Sequence, residues 1–303
     1  MRLLIDTDIG CDDAVALVLA LRTAGVTVDA LTTVAGNAPL ADTTRNALYT
    51  LEVCGEAVPV YPGAEAPLIA PPPPPRGAHG TDGLGDLGLR PRHARPRPQP
   101  ADEALIEQSN AGAGESVLVS LGPPTNLAHA LQRDPLLPRR VRRCVVSGGS
   151  LADPPEFNLS YDPEAARLVL RAGFDLTLVP LDLSRGDARL APDDYLPLLE
   201  SRDPVAHVAG LMCRFLGERG RRYGWSGEAA LPDAVAMAAA LQPDLLETEG
   251  CCLDVDIGNG PARGALLVHA PNSGPATVRL GRRLDTARFK AMLLAALQPR
   301  ARQ

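Results

Sequence analysis

The chain has 303 residues and a mass of 31.8 kDa, with 45% apolar residues, 3% aromatic residues and a formal charge of -6. That apolar content excludes disorder throughout and supports a core of Leu, Val and Ala. The negative balance argues against a nucleic-acid partner, and no apolar run reaches membrane-spanning length. Six cysteines, Cys11, Cys54, Cys144, Cys213, Cys251 and Cys252, lack paired metal-ligand spacing and read as reduced, mostly buried residues. Met1 to Ile5 runs into carboxylates before any signal-like apolar region is complete, so the expected location is cytoplasmic.

Leu3-Leu4-Ile5 predicts a strand that ends in acidic residues, and Ala14 to Leu21 a helix. Val26 to Ala35 reads as a second strand, about Leu40 to Cys54 as a helix, and Val58 to Tyr61 as a third strand. Residues 66–100 break this rhythm with Pro71 to Pro75 and then Gly77-Ala78-His79-Gly80-Thr81-Asp82-Gly83. A loop this long is functional or mobile, or else a surface insertion. Ser116 to Leu121 and Arg143 to Ser147 read as further strands, each leading into glycine. Asp162 and Pro163 suit the N-cap and first position of a helix. Leu176 to Leu181 is strand-like, and Pro204 to Arg219 is helical despite Gly210. Cys252 to Asp256 and Gly264 to His269 suggest an antiparallel addition, followed by a helix around Thr286 to Leu297. Short strands alternating with helices predict an α/β fold: one domain over 1–303 with a mainly parallel open sheet flanked by helices.

The run Asp6-Thr7-Asp8-Ile9-Gly10-Cys11-Asp12-Asp13 carries the chemistry. Its four carboxylates fall at a strand end and a helix start, with no Lys, Arg or His between Arg2 and Arg22 to offset them. Asp6 and Asp8 share a face if the strand extends through both. Helix capping by Asp12 or Asp13 accounts for one acid but not for four. A divalent cation resolves their repulsion, and several hard carboxylate oxygens favour calcium over magnesium. The spacing is not that of an EF-hand. No glycine-rich phosphate cradle with its lysine occurs, and Gly122-Pro123-Pro124 lacks the N–H donors that one needs, which argues against an NTPase.

Asp6 to Leu17 closely resembles the N-terminal signature of the nucleoside hydrolases, the inosine/uridine-preferring nucleoside N-ribohydrolase family. The resemblance continues in order through Val34 to Asn37, His79 to Gly85, Gly122 to Ala128, and Glu156 to Asn158 with Asp162 to Ala166. It spans residue 3 to about residue 245. What it implies is calcium-dependent hydrolysis of a ribonucleoside or related N-riboside to ribose and free base. By resemblance, Asp8, Asp13, Asp233 and the Leu121 carbonyl bind calcium, and Asp8 is the general base. Asp12, Asn37 and Asn158 match residues that grip the ribose 2′- and 3′-hydroxyls, Glu156 points to the far side of the sugar, and Asp6 supports the inner ligands. Relatives form homodimers or homotetramers, which is the expectation here.

Two departures bear on the leaving group. Pro232-Asp233 stands where the family often has His-Asp, and Ser147-Gly148-Gly149 reaches Glu156 through a shorter insert. His79 is a candidate to assist the departing base, or else a loop organiser. Tyr223 and Trp225 can stack on a base or serve packing. Loss of leaving-group activation leaves two other readings open: a noncatalytic, calcium-stabilised ribose or nucleoside-binding protein, and a hydrolase of a modified N-glycoside.

Overall fold

The computed structural model describes residues 1–72, 77–152, 155–271, 273 and 278–299, so Pro73, Pro74 and Pro75 of the proline run lie outside it. In chain order the elements begin β1 (Arg2–Thr7), α1 (Cys11–Arg22), β2 (Thr27–Thr33), α2 (Leu40–Cys54) and β3 (Val60–Pro62). Next come α3 (Ala101–Ala111), β4 (Ser116–Ser120), α4 (Thr125–Arg133), β5 (Arg143–Ser147), α5 (Phe157–Tyr161), α6 (Pro163–Leu170) and β6 (Leu176–Val179). The remainder is α7 (Pro192–Tyr195), α8 (Pro204–Gly220), α9 (Pro232–Leu241), β7 (Leu246–Val255), β8 (Leu266–His269), β9 (Val278–Leu284) and α10 (Thr286–Leu297).

The strands form one sheet in the order β3-β2-β1-β4-β5-β6-β9-β7-β8. Pairing is parallel from β3 through β9, and β7 and β8 are antiparallel. Strand alternation builds a core on each face. Leu3 and Ile5 join Val117, Val119 and Val145 beneath α1, α9 and α10, whereas Leu4 joins Leu118, Cys144 and Val146 beneath α4 and α6. Burying each such Leu or Ile contributes roughly 1.5–3 kcal/mol. No described helix is long and apolar enough to cross a membrane.

Two helices lie in the middle of this core. α1 is buried from Cys11 to Ala20 and α9 from Asp233 to Leu241, and the two pack against each other. An apolar surface all round identifies a helix of the interior, and the alanines of α9 permit close approach. α8 runs unbroken through Gly210, where a Cβ would meet that of Leu198 at 3.0 Å. The glycine is therefore a packing requirement rather than a break.

Five elements were not foreseen, among them the short helices α5 and α7. α3 follows the proline-rich stretch directly, α9 reads in sequence as an apolar run without amphipathic period, and β9 is masked by Arg279, Arg282 and Arg283. β1 ends at Thr7, so the condition for Asp6 and Asp8 to share a strand face does not hold.

The described part of the 66–100 segment is held against the body of the fold. At its far end the Glu52 carboxylate accepts the backbone N–H groups of Arg92, His93 and Ala94 at 2.9–3.2 Å, which lowers its pKa to about 2. A depressed carboxylate pKa stabilises the fold above its ordinary value of 4.5, and that contribution is lost as pH falls towards 2. Glu52→Ala should speed hydrogen exchange at these three amides by about threefold or more at neutral pH. The difference from the parent protein should vanish near the folded pKa.

Candidate active site

Strand order reverses between β1 and β4, and ligands of open α/β sheets bind beyond the carboxyl ends of the strands at such a switch point. The acidic run follows β1, Leu121 follows β4, Gly36 and Asn37 follow β2, and Gly148 follows β5. Asp12 and Asp13 lie in the first turn of α1, and Asp233 lies in the first turn of α9. Packing α1 on α9 brings these three together, with one oxygen from each within 4.8 Å of the others.

All of these acids are buried. Asp13 accepts Thr7 Oγ1 at 2.6 Å, Gly10 N at 2.8 Å and Asn37 Nδ2 at 3.1 Å. Asp8 Oδ2 accepts Asn37 N at 2.7 Å, and Asp233 Oδ1 accepts Ser147 Oγ at 2.8 Å. Asp6 is braced by Thr32 Oγ1 at 2.6 Å and Asn126 Nδ2 at 2.7 Å. A Cβ on Gly36 would stand 2.1 Å from Asp8 Oδ2, so glycine is what lets this loop close over the carboxylate.

Burial raises the pKa of every member: Asp6 to about 7, Asp12 to about 6, and Asp8, Asp13 and Asp233 also upward, with Asp13 and Asp12 adding to the rise at Asp8, Asp12 to that at Asp13, and Asp12, Asp13 and Asp8 to that at Asp233. Two unit charges about 4.8 Å apart repel by roughly 3–4 kcal/mol at an effective dielectric of about 20. A helix N-terminus returns at most about 2 kcal/mol. Protons or a cation must therefore supply the difference. Asp8 Oδ1 and Asp12 Oδ1 are buried without a hydrogen-bond partner, and every donor is a hard oxygen, so the set fits a divalent cation.

The carboxylates border a cavity of about 450 Å3. Asp12, Asn37, His79, Leu121, Glu156, Asn158 and Asp233 line it, joined by Gly77, Ser147, Phe157, Arg185, Arg219 and Pro232. Asn158 Nδ2 donates to the carbonyls of Leu121 at 2.6 Å and Ser147 at 3.1 Å, tying β4 to β5. Glu156 caps α5, accepting the N–H groups of Asn158 and Leu159, and also that of Gly149. It is thus a structural brace as well as a lining group.

Several expected residues stand differently from the sequence reading. The three-carboxylate group is Asp12, Asp13 and Asp233, with Asp8 beside it rather than within it. His79 Nδ1 accepts Cys11 N at 3.1 Å and lies 3.4 Å from Asp12 Oδ1. Burial lowers its pKa to about 4, so the ring is neutral with its proton on Nε2. His79 therefore ties the 77–88 loop to the start of α1. Trp225 does not line the cavity: its ring lies over the Arg189 guanidinium, 3.7 Å away, and against Gly220. The side chain of Tyr223 lies outside the described residues. Ser147, Asn126, Arg185 and Arg219 carried no role in the sequence reading. Asn126 had a signal, because an amide beside a buried acid at the switch point is a natural brace, whereas the two arginines had none.

A family model described as inosine-uridine preferring nucleoside hydrolase matches residues 3–291. Uridine nucleosidase 1 of Arabidopsis thaliana is 35% identical, over 83% of this chain and 80% of that protein. The non-specific ribonucleoside hydrolase RihC of Escherichia fergusonii is 31% identical over 96% of each. Among solved structures, a plant nucleoside hydrolase superposes with a TM-score of 0.89 at 29% identity, covering 98% of both chains. An inosine-guanosine nucleoside hydrolase gives 0.88 at 25% identity over 99% of each. The chain belongs to the inosine-uridine preferring nucleoside hydrolase family. It is an enzyme, a hydrolase acting on N-glycosyl compounds.

The raised carboxyl pKa values set a pH dependence. The folded, metal-free chain holds protons that the unfolded chain releases near its ordinary value of 3.8, so their stabilisation is full below 3.8 and is lost as pH rises through about 6 and 7. A cation takes the place of those protons. The increase in melting temperature on adding calcium to chelator-treated protein should therefore grow from about pH 5 to about pH 8. A shift independent of pH would contradict cation binding at these acids.

Proposed function

We propose that the enzyme hydrolyses the N-glycosidic bond of a ribonucleoside or related N-riboside, with calcium bound, giving ribose and free base. The observation that carries this reading is the convergence of Asp12, Asp13 and Asp233 within 4.8 Å beside a cavity that also presents Asn37, Glu156 and Asn158. The names of the relatives support it, since they act on uridine and on ribonucleosides at large.

Asp8, Asp13, Asp233 and the Leu121 carbonyl would hold calcium, with Asp12 against the same group. Bound calcium would orient and acidify the attacking water. Asp8 would serve as the base for the attacking water, a role its buried and unpartnered Oδ1 suits. Asp12, Asn37 and Asn158 grip the ribose hydroxyls, so binding energy remote from the bond orients C1′. Glu156 faces the far side of the sugar. As the bond to the base weakens, positive charge spreads over the ribosyl ring, and the anionic cavity wall stabilises it. Direct attack by water inverts C1′. The reading carries with it self-association as a homodimer or homotetramer and a cytoplasmic location.

Pro232 favours a second reading. It lines the cavity beside Asp233 and has no side-chain donor, as a hydrolase of a modified N-glycoside whose leaving group needs no protein acid would tolerate. Purified protein with calcium should release reducing sugar from at least one member of a panel of purine, pyrimidine and nicotinamide ribosides. Release confined to ribosides whose base departs unaided, such as nicotinamide riboside, would instead establish the second reading.

Asp13→Ala removes a carboxylate held by three donors. Turnover should fall by at least about a hundredfold and the calcium-induced melting shift should disappear. Unchanged activity and metal content would rule out the proposed role of Asp13.

A further inference from the structure

The sugar end of the cavity is anionic, yet two guanidinium groups, those of Arg185 and Arg219, also line it. Cleavage at C1′ sends the bonding pair to the base nitrogen, so something must receive negative charge or supply a proton there. The donors of the lining are largely committed elsewhere: Ser147 to Asp233, Asn37 Nδ2 to Asp13, and Asn158 Nδ2 to two carbonyls. Pro232 offers none. His79 keeps Nδ1 for Cys11 N–H, and the remaining Nε2–H of a neutral imidazole is a hydrogen-bond donor rather than an effective acid.

We propose that Arg219, in the last turn of α8 and lining the same cavity as His79, Pro232 and Asp233, stabilises the departing base as an anion. The inference rests on the ribosyl-hydrolase reading given above. A guanidinium carries five N–H donors in a planar fork, a geometry suited to the ring nitrogen and carbonyl oxygen of a base anion. The backbone that carries it is held firmly. The Trp225 ring lies against Gly220, the next residue, and over the Arg189 guanidinium, and the backbone N–H of Trp225 donates to the Gly220 carbonyl at 3.2 Å.

The step balances without a protein acid. Water oxygen bonds to C1′ and gives its proton to Asp8, while the C1′–N pair moves onto the base. The base anion is held by Arg219 until it takes a proton from solvent on release. Such an enzyme is limited by how well the base bears negative charge. Uridine should therefore be turned over faster than cytidine, because cytosine is the poorer anion.

The test compares parent, Arg219→Gln and Arg219→Lys on uridine, cytidine and 4-nitrophenyl β-D-ribofuranoside, whose leaving group is a stabilised anion without help. Arg219→Gln should lose about 100-fold in kcat/KM on uridine, as when one charge-stabilising donor is removed, and no more than about threefold on the nitrophenyl riboside. Arg219→Lys should fall between parent and Arg219→Gln on uridine, and both variants should keep the calcium-induced melting shift. Equal losses on uridine and the nitrophenyl riboside, or parent-like rates on uridine, would overturn the role of Arg219 alone. Failure of the parent protein to cleave any of the three would overturn the hydrolase reading and this inference together.

Discussion

The packing of α1 against α9 is the contact on which the rest of the site depends. Both helices are buried nearly throughout, and their close approach delivers two helix N-termini, with Asp12, Asp13 and Asp233, to one point beyond the sheet. Backbone N–H groups at those termini offset part of the charge, but the mutual repulsion is larger. The fold therefore carries a local electrostatic conflict that a cation relieves. This is stability given up at the place where charge is needed for chemistry.

The surroundings show how the conflict is contained. Asn126 reaches from α4 to Asp6, to the Thr33 carbonyl and to the backbone N–H of Ala64, linking the ends of β1, β2 and β3 through one side chain. Asn37 does the same between Asp8 and Asp13. Thr7, Gly10 and Asn37 together leave Asp13 little freedom to move. A site organised in advance by such bracing need not reorganise during reaction.

The lining of the cavity comes from two kinds of position. Strand termini and buried helix starts are places that the sheet itself determines, whereas the 77–79 segment and the last turn of α8 are parts of an α/β fold freer to vary. Pro232 is favourable as the first residue of α9 and brings no side-chain donor to the lining.

By itself the sequence determined the α/β class, the helices Leu40–Cys54 and Thr286–Leu297, the strand Arg143–Ser147 and the Asp162 cap. These depend on period and on near neighbours, which a linear pattern records. It also marked Asp6 to Asp13 as a site demanding a counter-charge, because like charges close in sequence stay close in space. Tertiary structure alone decided which acids converge, since Asp233 joins Asp12 and Asp13 through the packing of two helices more than 200 residues apart. It also moved Trp225 from the cavity onto Arg189, turned His79 towards Cys11, brought Arg185 and Arg219 into the lining, and inserted β9 between β6 and β7. Contacts at such separations leave no periodic trace along the chain; they arise from how the sheet and helices fill space.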